Sequence, residues 1–153
     1  RVNLGYFVAG KPTDPATMSN VSVATATYSG QMLGTVYDQA SGQVRDRAGN
    51  FTNAWNFGTR SGAVTANFDS AQYKGAVTAP VSPTTFGGNL QNTAVGGIAA
   101  NTRTMTMNGS MFGPVVNGAA PPEMAGKFSI KENAPGANLY RAQGVFIGKV
   151  TGP

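Results

Sequence analysis

One feature constrains this chain more than any other: a strict two-residue alternation that returns eight times. Over residues 24–37 the even positions read Ala26, Tyr28, Gly30, Met32, Gly34, Val36. The odd positions read Thr25, Thr27, Ser29, Gln31, Leu33, Thr35 and are mostly polar. A period of two places alternate side chains on opposite faces of a strand, so one face is buried and the other wet. The same pattern recurs over residues 51–57, 63–69, 73–79, 85–91, 103–113, 123–131 and 139–150. Leu, Glu and Lys are scarce, while Thr, Val, Phe and Tyr are plentiful, so nothing competes for helix.

Eight strands with one apolar face either stack as a sandwich or close into a barrel. Eight glycines lie on the inward phase: Gly30, Gly34, Gly75, Gly88, Gly109, Gly126, Gly144 and Gly148. Interior glycine weakens a flat strand but permits sharp coiling, and closure removes exposed edges. The expectation is therefore an all-β fold, an eight-stranded antiparallel β-barrel over residues 24–150. Trp55, Phe57, Phe68, Phe128 and Phe146 should point into it. Residues 2–8 alternate again, with Val2, Leu4, Tyr6 and Val8 in phase, and give an extra N-terminal strand within residues 1–10. Residues 11–23, polar and marked by Pro12 and Pro15, read as a tether. The longer loops fall at 38–50, 92–102, 114–122 and 132–138.

With 153 residues there is room for one domain, and 41% hydrophobic content is enough for a real core. The chain opens at Arg1 rather than Met, which reads as a processed product or an excised domain. No secretory leader is visible, and no apolar run approaches the ~18 residues of a membrane-spanning helix.

The chain has no Cys and no His. That removes thiolate nucleophiles, disulfides and zinc–thiolate sites, together with the commonest general base. The six acids, Asp14, Asp38, Asp46, Asp69, Glu123 and Glu132, form no metal-loop or catalytic-pair spacing. No enzyme activity, resident metal or cofactor is expected. The net charge of +5 is spread along the chain, with only Arg45-Asp46-Arg47 close together, so nucleic acid is not an expected partner. Met105, Met107, Met111 and Met124 have two readings, soft ligands for haem or copper and filling for an irregular core. Their period of two fits the core directly. Glycosylation-type tripeptides at Asn20, Asn50 and Asn108 arise by chance in a chain this rich in Ser, Thr and Asn.

Several phrases carry a family resemblance. They are Ala26-Thr27-Tyr28-Ser29-Gly30, the turn Asn56-Phe57-Gly58-Thr59-Arg60-Ser61-Gly62, and Gly109-Ser110-Met111-Phe112-Gly113-Pro114. Glu123-Met124-Ala125-Gly126-Lys127-Phe128-Ser129 and Tyr140-Arg141-Ala142-Gln143-Gly144-Val145-Phe146 follow in order. Together they resemble the β-barrel domain of the transferrin-binding protein B family of bacterial surface proteins. The resemblance implies a barrel displayed outside a Gram-negative cell, extracellular or at the outer membrane, beside other domains. Family members bind transferrin, a complement regulator, or haem and haemoproteins; a protein partner is the first expectation and haem the second. The N-terminal Cys of the lipoprotein members is absent here.

Two functions stay open at this point. One is a non-catalytic surface binding module that contacts its ligand through loops, whose residues the sequence does not identify. The other is a subunit of an extracellular filament or surface layer. There Val2, Leu4, Tyr6 and Val8 would form an inter-subunit strand and make a homo-oligomer. The apolar stripe of that segment must pair either with its own barrel or with a neighbour's.

Overall fold

A computed structural model describes residues 6–134 and 140–152. Eight antiparallel strands form a closed barrel in simple sequential order. They are β1 (Thr25–Asp38), β2 (Gln43–Asn56), β3 (Ser61–Phe68), β4 (Ala71–Thr78), β5 (Thr85–Asn92), β6 (Arg103–Phe112), β7 (Glu123–Glu132) and β8 (Tyr140–Gly152). β8 closes on β1 from Tyr140 opposite Asp38 to Gly152 opposite Thr27.

The alternation does what its period requires. Tyr28, Met32, Phe51, Trp55, Phe68, Tyr73, Leu90 and Phe146 are fully buried inside, together with Met105, Met107, Met111 and Met124. The rings meet edge to face, Phe51 on Phe146 at 5.2 Å and Phe68 on Phe128 at 4.9 Å between centroids. Glycines face glycines at three cross-strand positions, Gly30–Gly148 and Gly34–Gly144 between β1 and β8 and Gly109–Gly126 between β6 and β7. A Cβ on Gly109 would come within 2.7 Å of Phe86 Cζ and 2.8 Å of Phe146 Cζ. Large rings thus fill the volume that the glycines vacate, which is how a small barrel packs without voids.

Three expectations need correction. β2 begins at Gln43, eight residues before the expected Phe51, so most of the supposed loop 38–50 is strand. Its inward-phase positions there are Gln43, Arg45, Arg47 and Gly49, which give no apolar alternation to read. Phe57 lies just past β2 and is half-buried, packed against the core beside Met18 rather than within it. The expected tether 11–23 is docked on the barrel. It contains a 3-10 helix, Pro15–Asn20, capped by Asp14 Oδ1 accepting from the Ala16 N–H at 2.9 Å. Thr13 is buried, with its N–H on the Met111 carbonyl at 3.0 Å and Oγ1 donating to the Gly113 carbonyl at 2.7 Å.

Of the expected N-terminal strand, Val2 and Leu4 lie outside the described residues, and residues 6–10 join no ladder. The first sheet-like contact is an isolated bridge from Pro12 to Phe112.

Candidate functional site

The up-and-down order sends alternate connections to opposite ends. Residues 11–23 and the β6–β7 connection close one end. There the Ser22 N–H donates to the Gly118 carbonyl at 2.8 Å, and buried Tyr28 donates its hydroxyl to the Pro121 carbonyl at 2.8 Å. The other end carries the β1–β2, β3–β4, β5–β6 and β7–β8 connections, so three of the four loops expected from sequence gather there.

At that loop-bearing end the barrel mouth is sealed by a polar cluster. Asp69, in the tight turn after β3, accepts Arg45 Nη2 and Arg47 Nε, each at 3.0 Å, and the Tyr140 hydroxyl at 2.9 Å. Arg45 also reaches Asp38 at 3.5 Å, and the Arg103 guanidinium lies 3.6 Å over the Tyr140 ring. Burial alone would lower the Arg45 pKa, but the Asp69 and Asp38 carboxylates outweigh it and hold the guanidinium firmly charged. At Asp38 desolvation, the largest single effect, raises the pKa, but hydrogen bonds from Ser41, Ala40 and Arg45 together outweigh it and bring the carboxyl below the usual range. Burial pushes the Tyr73 and Tyr140 phenols up, so both stay neutral. Among the described residues no three His, Cys, Asp or Glu gather as metal ligands. Asp69 accepts three donors, which engage most of its lone-pair sites. The cluster's chemistry is that of a seal.

The adjoining loop is tied down as well. Buried Asn92 donates Nδ2 to the Ala99 carbonyl at 2.8 Å and accepts the Arg103 N–H at 2.7 Å. The Asn133 side chain bridges Thr104, Gln91 and the Asn101 carbonyl.

The outer wall over β7, β8 and β1 is different in character. Cross-strand register lines up Lys127, Val145, Leu33 and Ala48 in one row, and Ala125, Ile147 and Gln31 in the next. Leu33 and Ile147 are each 47% exposed, and Lys127 and Lys131 stand beside them in solvent. Lys149 pairs loosely with Glu123 at 3.7 Å. Next to this wall, over β5, β6 and β7, lies a groove of about 610 Å³ whose lining includes Tyr6, Phe7, Val8, Val81, Ala125 and Val145. A smaller hollow of about 390 Å³ places Tyr6 among Thr35, Lys127 and Gln143.

Of the four residues marked as a possible inter-subunit strand, the structure thus sets Tyr6 and Val8 against their own barrel's exterior. Phe7 and Val81, at 85% and 93% the most exposed large apolar side chains among the described residues, were not marked by sequence reasoning. Phe7 is out of phase with the Val2–Leu4–Tyr6–Val8 stripe, and Val81 sits in the β4–β5 loop between Pro80 and Pro83. Ala125 is buried although it points outward, and only the packing of neighbouring segments over it explains that.

No protein-family model matches the chain, and no curated protein matches it in sequence. Among solved structures it is similar to a point mutant of the vaccine antigen transferrin-binding protein B from Haemophilus parasuis Hp5. The two share 11% identity with a TM-score of 0.59, over 92% of this chain and 28% of that one. The chain therefore spans less than a third of that protein's length. At this identity the likeness is one of fold, and it makes the chain a transferrin-binding-protein-B-like β-barrel in architecture.

Proposed function

We propose that this protein is a non-catalytic binding module, displayed at a bacterial surface, whose ligand is another protein. The observation that carries the reading is the pair Phe7 and Val81, almost fully exposed and lining one groove over β5–β7, with exposed Leu33 and Ile147 on the adjoining β8–β1 wall. Exposed apolar side chains gathered in one area mark interaction surfaces. Lysines at the margin of an apolar patch give it the polar rim of a protein interface. The fold likeness to a transferrin-binding protein supports the class, since that barrel belongs to a protein named for binding a protein.

Haem fits less well. The barrel interior is filled by aromatic and methionine side chains, and Met105, Met107, Met111 and Met124 are fully buried as core. A haem would have to lie outside, against residues that include no His and no Cys. The filament reading rests on the edge of β2 together with residues 2–8, whose described part, Tyr6, Phe7 and Val8, also lines this groove.

The test is a photo-crosslinking amino acid placed at Phe7, at Val81, and at Lys74, which does not line the groove, in cells that make the protein natively. The reading expects one discrete heterologous protein adduct from Phe7 and Val81 and none from Lys74. Equal labelling at all three positions, or a haem absorption shift without any protein adduct, overturns it.

A further inference from the structure

β2 is longer than the strand beside it. It pairs with β1 along its whole length, from Gln43 opposite Asp38, but with β3 only from Gly49 opposite Phe68. Residues 43–48 therefore have a strand on one side only, the longest such stretch among the described residues. Alternate residues of a strand direct both N–H and C=O to the same side, so these six present about six backbone groups to the open side. Natural edges are defended by charges that project from them. Here Arg45 and Arg47 are drawn onto Asp69 instead, and Val44 is left 65% exposed. The one local cover is Arg47 Nη1 on the Asp46 carbonyl at 3.2 Å.

The N-terminal segment has the opposite surplus. Residues 2–8 have the alternation of a strand, yet their described part, residues 6–8, joins no ladder. We propose that residues 2–8 of one copy add as a ninth strand to residues 43–48 of a second copy. The apolar stripe Val2, Leu4, Tyr6, Val8 would then extend the outer surface already formed by Val44, Tyr37 and Leu33.

The geometry requires the second copy. The segment is anchored at Pro12, bridged to Phe112 at the end of β6, with the Gly113 N–H on the Lys11 carbonyl at 3.0 Å. β6 and β2 are four strands apart around the closed barrel. Four spacings of ~4.8 Å make about 19 Å. With residues 2–8 on the β2 edge, only residues 9–11 remain to cross that distance, and three residues reach about 10 Å. A chain cannot reach its own edge. Donor and acceptor are also different surfaces, so the contact is head-to-tail and propagates as a ring or an open filament.

The experiment is amide hydrogen exchange and light scattering on the full chain over about two decades of concentration. The expected result is growth in mass with concentration, together with exchange at residues 43–48 slowed by about tenfold or more. Leu4→Asp, in the N-terminal segment, and Val44→Lys, at the edge, should each abolish both effects and leave the thermal melt of the monomer in place. A chain that stays monomeric throughout overturns the proposal. So does assembly that protects the β6–β7 outer wall instead of residues 43–48, or assembly that survives Leu4→Asp. If Val44→Lys unfolds the barrel, Leu4→Asp alone decides.

Discussion

Asp69 is the residue at which removing one side chain should cost most for its size. Its carboxylate is 10% exposed and holds Arg45, Arg47 and the Tyr140 hydroxyl from a turn whose φ is 46°. Asp69→Ala leaves the buried Tyr140 hydroxyl without its acceptor, about 1–3 kcal/mol. The Arg47 pair is nearly half exposed and screened, so it adds ~0–1 kcal/mol. Arg45 keeps Asp38, which limits its share. Alanine also tolerates a left-handed backbone less well than Asp or Asn, about 1 kcal/mol more. The sum is about 2–5 kcal/mol, or roughly 10 °C in Tm for a chain of this length. Asp69→Asn keeps the turn and an acceptor for Tyr140 but loses the charge, and should cost about 1–2 kcal/mol. Urea unfolding followed by the fluorescence of Trp55, the single tryptophan, reads both variants. If Asp69→Ala falls within about 0.5 kcal/mol of the parent, the cluster is not a seal. Equal losses for the two variants would mean that the turn and the Tyr140 bond contribute nothing.

Two further outcomes are expected. A Cβ on Gly126 would run into the Asn108 carbonyl and meet Gly109 Cα at 2.5 Å, whereas nothing lies within 4 Å of a Cβ on Gly152. Gly126→Ala should therefore destabilise by about 1–3 kcal/mol in a denaturant titration, and Gly152→Ala should be neutral; equal effects would refute the close-approach argument. Burial raises the phenol pKa values of Tyr28, Tyr73 and Tyr140 above their unfolded value. Their contribution is then fully present below pH ~10 and is lost above it, because only the unfolded chain releases these protons, at about 1.4 kcal/mol per pH unit for each phenol. Phenolate absorbance should rise for these three only as the circular dichroism collapses, and reversible titration near pH 10 with the fold intact would contradict their burial.

How much of this was legible in the sequence depended on where apolar alternation continued. β6 and β7 match the expected 103–113 and 123–131 within a residue at each end, because Met105, Met107, Met111, Met124, Phe128 and Ile130 keep one phase throughout. The first half of β2 was not legible, since its inner face is polar where the barrel opens to solvent. The partners of Arg45 and Arg47 lie 24 and 22 residues away at Asp69, and the Asp69–Tyr140 bond spans 71. Separations of that size leave no local pattern to read. Phe57 kept the correct parity but fell past the strand end, where parity no longer fixes direction. The outer groove is a product of closure: Ala125 and Val81 come together only once β4–β5 and β7 lie on the same side.

The methionines carry one more consequence. Met32, Met105, Met107, Met111 and Met124 are fully enclosed, while Met18 packs half-buried at the end of the barrel. A thioether is oxidised to sulfoxide only where an oxidant reaches it, and the product is too polar for a dry core. Oxidation at Met18 therefore records local loosening of the docked segment, and oxidation at the other five records opening of the whole barrel. Once formed, an interior sulfoxide opposes reclosure, so peroxide acts on this molecule as a ratchet that turns a rare opening into a lasting one.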